Sequence, residues 1–285
     1  MKIEFLGTGG ATTIPRPLCQ CRVCKEAREK GVPYSRMGPS LFVHGPNMLF
    51  DTPEEIVYQI ERSSISTIEG VIYSHWHPDH VMGRRVLESL NADWCGWPPK
   101  PSQTDVYVPE KVAADFRTWL GTWDHLQYFK QQRFIQLYEL KDGEKIYKNG
   151  VHIRPFRLAE DYVYAFELTE GDKRVLIAMD ELNGWMPPNE LQEVDVAVLP
   201  IGLFDVHPLT NERLIPEDHP VLNMECTFEE TVAIIEQLRP KKVVLTHHEE
   251  MNGLSHDELQ TVVAKRLQKA DLVVEIAYDT MMVEM

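Results

Sequence analysis

The segment His75-Trp76-His77-Pro78-Asp79-His80 places four side chains suited to binding metal within six residues. Imidazole nitrogens together with a carboxylate suit Zn, Mn or Fe. The order separates the donors. His75 and His77 can point to one ion, Asp79 and His80 to a second. Before them, the apolar run Gly70-Val71-Ile72-Tyr73-Ser74 reads as a buried strand; after them, Val81 to Leu90 reads as a helix. The donors therefore fall on a loop at the C-terminal end of a strand, where open sheets bind ligands.

Further donors are expected at other strand ends. Asp180 closes Val175-Leu176-Ile177-Ala178-Met179, and a carboxylate there could bridge two ions. His247 closes Val243-Val244-Leu245-Thr246. Alone, Asp180 reads more readily as a helix or turn cap and His247 as a hydrogen-bonded strand-end histidine. Beside the first cluster, both favour ligand roles. Cys19, Cys21 and Cys24 form C-x-C-x2-C, a spacing that in an intracellular chain points to metal more than to disulfides. Cys95 and Cys226 stand apart and read as small, partly buried hydrophobes.

The elements that must hold these residues are legible in outline. Lys2 to Gly7 is a strand entering the tight turn Gly7-Thr8-Gly9-Gly10. Ser40–His44 and Asn47–Asp51 read as a hairpin around Gly45-Pro46, with Thr52 as the cap of a helix running to about Ser63. Asn91 to Gln103 is rich in Trp and Pro (Trp94, Trp97, Pro98, Pro99, Pro101), and Leu120 to Phe134 carries Trp123, Tyr128, Phe129 and Phe134. These aromatics could roof the site, pack ordinarily, or form a homodimer contact. From Phe134 the period becomes two, with strands separated by Asp142-Gly143, Asn149-Gly150 and Gly171-Asp172. Val194–Pro200 and Lys241–Thr246 are buried strands. Thr227/Glu230 and Ser255/Glu258 are capping boxes of two helices, and Leu272–Ala277 with Met281–Glu284 reads as a closing hairpin. This order predicts an αββα sandwich: two mixed sheets flanked by helices. With no linker, repeat or boundary in sight, one domain over residues 1–285 is expected.

Bulk composition narrows the function. A net charge of −15 opposes nucleic-acid binding and docking on anionic membranes. A small anionic substrate is still served by local metal charge. No apolar run reaches the ~18 residues of a membrane span. Met1 to Gly7 reads as a first strand, not a signal peptide, so a cytoplasmic location is expected.

His75-x-His77-x-Asp79-His80, the later strand-end Asp180 and the final Leu245-Thr246-His247 resemble the metallo-β-lactamase superfamily. Asp51 in Leu49-Phe50-Asp51-Thr52 is similar to its first motif, a carboxylate that orients the site. The cysteines after the first strand, with Ala277-Tyr278-Asp279 near the end, resemble the PhnP-like branch of cyclic ribose-phosphate phosphodiesterases. The resemblance implies that His75 and His77 hold one metal, that Asp79, His80 and His247 hold a second, and that Asp180 bridges them. It implies a dinuclear Zn or Mn site whose bound hydroxide attacks a phosphate ester, with Asp79 and Asp180 central to catalysis. It also implies a structural zinc at Cys19, Cys21 and Cys24.

The chain departs from the branch in three places. A histidine is missing after Val151–Leu158, where Glu160 is the substitute at hand. Glu225 stands where the branch often has a substrate-facing histidine. The fourth zinc ligand, usually a histidine, falls at Glu250, with His248 and Glu249 beside it. His207 and His219 read as loop histidines. The expected activity is that of a metal-dependent phosphodiesterase on a small cyclic or nucleotide-like phosphate. The alternatives are a thioester hydrolase of the same superfamily and a non-catalytic metal-binding scaffold. A tRNA-processing nuclease is disfavoured by the charge and by the lack of a basic arm.

Overall fold

The computed structural model describes residues 1–96, 103–268 and 272–285. The first half supplies strands β1 (Lys2–Gly7), β2 (Ser40–His44), β3 (Met48–Phe50), β4 (Gly70–Ile72), β5 (Thr104–Pro109) and β6 (Ile135–Leu140). The second supplies β7 (Ile146–Lys148), β8 (Val151–Arg157), β9 (Tyr164–Glu170), β10 (Lys173–Ile177), β11 (Val196–Pro200), β12 (Lys242–Thr246), β13 (Val273–Ile276) and β14 (Met282–Glu284). They form two seven-stranded sheets, ordered β14-β1-β2-β3-β4-β5-β6 and β13-β12-β11-β10-β9-β8-β7. Each sheet is half antiparallel and half parallel: β3 to β6 run parallel in the first, β10 to β13 in the second.

Alternation along the strands explains the layering. Val196 and Val198 of β11 face the core shared by both sheets. Ala197 and Leu199 face outward, against Phe228, Val232 and Ile235 of one helix and Leu259 and Val263 of another. The expected αββα sandwich is therefore what the chain forms. Both capping boxes are made, at Thr227/Glu230 and Ser255/Glu258.

Three expectations need correction. The last two strands are not a hairpin. β13 extends one sheet and β14 the other, so the chain end pins the two together. Phe134–Leu140 does not join the antiparallel run, because β6 pairs parallel with β5 in the first sheet. Thr52 does not cap a helix, which begins only at Ile56. Its backbone N–H donates to the His80 carbonyl at 2.7 Å and its hydroxyl bonds Tyr73 at 3.1 Å, so it braces the metal loop instead.

The helix expected over Val81–Leu90 is broken into Pro78–Val81, a tighter turn over Met82–Arg85, and Val86–Asn91. Gly83 donates to the Thr52 carbonyl at 2.8 Å, and a Cβ there would meet the Pro53 carbonyl oxygen at 1.9 Å. That close approach fixes the break. Of the aromatic segments, Phe129 and Phe134 are core, and Trp123 lies under the Arg117 guanidinium at 3.9 Å. Trp97, Pro98, Pro99 and Pro101 lie outside the described residues. No helix among the described residues is long and apolar enough to cross a membrane.

Candidate metal centre

The parallel strands of both sheets end on one crevice. Asp51 follows β3, His75 to His80 follow β4, Asp180 and Glu181 follow β10, and His247 follows β12. Asp51, Glu181 and His247 all take left-handed backbone conformations, with φ of 60°, 54° and 54°. Such angles are uncommon outside glycine and are found where a site dictates them. Here they bend each strand end sharply into the crevice.

Two donor groups result. His75, His77, Asp180 and Glu181 each offer a ligand atom within 4.8 Å of the others, and so do Asp79, His80, Asp180 and His247. Asp180 belongs to both. Its Oδ2 lies 3.5 Å from His75 Nε2, 3.3 Å from His80 Nε2 and 3.3 Å from His247 Nε2. These three Nε2 atoms are buried without a hydrogen-bond partner. Buried polar atoms are rarely left so, and three aimed at one carboxylate mark a cation's place. The opposite ring nitrogens are held from behind. His80 Nδ1 lies 2.8 Å from Asp51 Oδ2, and His75 Nδ1 lies 3.0 Å from Ser74 Oγ. Ser74 in turn donates to Asp51 from its backbone N–H and its hydroxyl, at 2.8 and 2.6 Å. Such contacts behind a histidine fix its tautomer and leave Nε2 free to ligate. A nitrogen–carboxylate set of this kind fits Zn, Mn or Fe.

The electrostatics agree. Burial, then His80, pushes the His75 pKa well below its usual value. Burial opposes charge on His80, yet Asp79 and Asp51 hold its pKa well above the usual value. Burial works the same way on His247, but Asp180 and Asp79 raise it to about 9. Asp79 and Asp180 resist burial and stay below the normal carboxylate range, held there chiefly by His80 and His247 respectively. Glu181 is pushed up to about 9 by burial, then by Asp180 and Glu225.

Every catalytic-site residue expected from the sequence is thus brought together: Asp51, His75, His77, Asp79, His80, Asp180 and His247. Glu160 is not in either donor group. Glu181, buried, joins the first group instead, with its Oε1 3.4 Å from His77 Nδ1. Glu181 was not among the donors expected from the sequence. The available signal was a second carboxylate directly after the strand-end Asp180. Glu225 lines a cavity with Asp180, Glu181, His247 and Glu249; burial, then Asp180, lifts its pKa to about 7. Trp76, beside His77, stacks on Trp119 at 5.4 Å, so one aromatic wall flanks the crevice.

A second cluster lies at the first loop. Glu250 Oε1 is 2.9 Å from Cys21 Sγ, 3.2 Å from Cys19 Sγ and 3.7 Å from Cys24 Sγ. Three thiols converging on one carboxylate make a closed four-donor set of the kind a structural zinc takes. Of the candidates at the fourth place, Glu250 is therefore the residue in position. His248 points instead into a small cavity with Tyr34, Arg36 and His256. Glu249 accepts the Ala11 N–H at 2.8 Å and flanks His247. Gly10 permits that approach, since a Cβ there would meet Glu249 Oε1 at 1.9 Å. His207 and His219 accept backbone N–H groups of their own loops, as loop histidines do.

A sandwich with His and Asp donors gathered from the strand ends of both sheets defines the metallo-β-lactamase fold. The chain belongs to this family: the model described as Beta-lactamase superfamily domain matches residues 46–248. A ribonuclease Z of Archaeoglobus fulgidus is 28% identical over 61% of this chain and 49% of its own length. One of Pyrococcus horikoshii is 24% identical over 60% and 45%. The chain thus spans about half the length of these curated relatives. Among solved structures, a diphosphatase from the PhnP family superposes with a TM-score of 0.72 at 22% identity, covering 100% of this chain and 98% of that one. Zn(2+)-bound PqqB from Methylobacterium extorquens gives 0.73 at 15% identity, covering 100% of both chains. At these identities the likeness to solved structures is one of fold.

Proposed function

We propose that the protein is a PhnP-like phosphodiesterase acting on a small cyclic or nucleotide-like phosphate. The observation that carries this is the convergence of three orphaned Nε2 atoms, from His75, His80 and His247, on the shared Asp180 carboxylate. Two divalent ions held there would activate water for attack and neutralise charge on the phosphoryl group.

The chain's own part is placement. Asp180 ties the two donor groups into one centre. Asp51 and Ser74 lock the rings of His80 and His75. The Trp76–Trp119 stack offers a flat apolar face to a base or sugar. The second donor set, Cys19, Cys21, Cys24 and Glu250, would hold a structural zinc that fastens the first loop to the end of β12. The net charge of −15 favours a small phosphate over RNA, although two of the curated relatives are ribonucleases Z.

The test is metal analysis followed by hydrolysis assays. With two divalent ions beyond the cysteine site, the expected result is hydrolysis of bis(p-nitrophenyl) phosphate and of cyclic nucleotides, lost in His75→Ala and Asp180→Ala. Hydrolysis of a thioester or of tRNA precursors in place of the phosphodiesters would replace the substrate reading. A protein holding metal only at the cysteines, and inert with added manganese, would be a scaffold.

A further inference from the structure

Where the resemblance calls for a histidine beside His75 and His77, the chain reads Leu158-Ala159-Glu160-Asp161. In the fold this is a tight turn, with the Glu160 carbonyl accepting the Val163 N–H at 3.0 Å. The Glu160 side chain joins neither donor group. The vacated side of the crevice is filled from another element. Glu181, one residue past the bridging Asp180, takes φ of 54° and is 5% exposed. Its backbone N–H donates to Asp180 Oδ1 at 2.8 Å, which fixes the turn. Its carboxylate makes no hydrogen bond among the described residues, and its Oε1 lies 3.4 Å from His77 Nδ1. A buried carboxylate with no donor is otherwise costly.

We infer that Glu181 is a metal ligand, completing a His75–His77–Asp180–Glu181 set whose added oxygen donor raises the relative affinity for Mn2+ or Fe2+ compared with a histidine at that place. This rests on the dinuclear reading above. The chemistry follows from the donors. Each half then has two imidazoles and two carboxylates, with Asp180 common to both; a histidine in place of Glu181 would have given this half three imidazoles and only the shared carboxylate. Carboxylate oxygen suits Mn2+ and other hard ions, and imidazole in its place shifts preference toward Zn2+. The third carboxylate also lowers the net charge of the loaded centre by one relative to a histidine there.

The test is binding, read without substrate. Full-length wild type, Glu181→Gln, Glu181→His and Glu160→Gln are stripped of metal at the crevice and titrated with Mn2+ and Zn2+, following Mn2+ by EPR and total metal by elemental analysis. In wild type, two ions beyond the cysteine-bound one are expected. Glu181→Gln should weaken one Mn2+ by roughly 100-fold or more, since even residues behind a ligand give 10–100-fold. Glu181→His should retain two ions with the preference moved toward Zn2+. Glu160→Gln should match wild type. Unchanged Mn2+ affinity in Glu181→Gln, or a loss in Glu160→Gln instead, would overturn the assignment while leaving the dinuclear centre standing. Failure of wild type itself to bind two ions at the crevice would overturn both.

Discussion

Asp51 Oδ2 lies 2.8 Å from His80 Nδ1, and both side chains are fully buried. The carboxylate also takes both Ser74 donors, so one buried group sets the ring orientation of His80 and, through the Ser74 hydroxyl, of His75. Asp51 therefore acts on both halves of the centre without facing the crevice. Asp51→Asn keeps the shape but turns an amide donor toward donors. Metal affinity is expected to fall by about 10–100-fold, with kcat/KM on bis(p-nitrophenyl) phosphate falling alongside. A folded Asp51→Asn protein with unchanged metal retention would show that the rings are held by packing alone.

The cysteine cluster predicts a separable loss. Glu250 is the one oxygen among its donors, and Arg16 lies 3.6 Å from its other carboxylate oxygen. Burial and the Glu250 contact push the Cys21 thiol up to about 12, so a cation is needed to draw off its proton. Cys21→Ser and Glu250→Gln should each lose one zinc per chain by elemental analysis and lower Tm, with the crevice ions retained. Loss of all metal together would mean that the first loop also holds the catalytic centre in shape.

Legibility followed the range of the interaction. The donors at His75 to His80 announce themselves because four ligating side chains share one loop, and Asp180 and His247 because each ends an apolar run. Capping boxes are likewise local and were readable as such. Glu181 was hidden because its role depends on a left-handed turn that aims it at His77, 104 positions earlier in the chain. Thr52 was misread because a short polar residue before Pro53 and two acids mimics a cap, while its actual partners, His80 and Tyr73, come from the next strand and loop. The last two strands looked like a hairpin because adjacency in sequence says nothing about which sheet each edge strand completes.

The His256 ring gives a pH signature away from the crevice. Arg36 Nη2 lies 3.0 Å from His256 Nδ1, and because a guanidinium only donates, Nδ1 must be the acceptor of a neutral ring. Burial, then Arg36, brings the His256 pKa down to about 4, with Asp257 opposing. The unfolded chain takes up this proton near pH 6.5, the folded chain only near 4. Stability from this group is thus present above about pH 6.5 and lost as pH falls toward 4, by at most ~1.4 kcal/mol per pH unit. His256→Asn should flatten that limb of a urea-unfolding series run from pH 7 to 4. An unchanged slope would mean that His256 is protonated in the folded state.

Glu225 offers the sharpest test of substrate charge. It shares a cavity with Asp180, Glu181, His247 and Glu249. Ionised, it would repel an anionic phosphodiester, and at the effective dielectric of a partly buried site one like charge several ångströms away is worth ~1 kcal/mol or more. Removing that charge should therefore help an anion and leave a neutral ester alone. Glu225→Gln is expected to lower KM for bis(p-nitrophenyl) phosphate by several-fold, with little change for p-nitrophenyl acetate. A rise in KM for the phosphodiester would mean that Glu225 donates a hydrogen bond to the substrate as a protonated acid. The role of the histidine that the resemblance places there would then have passed to a carboxyl group that keeps its proton.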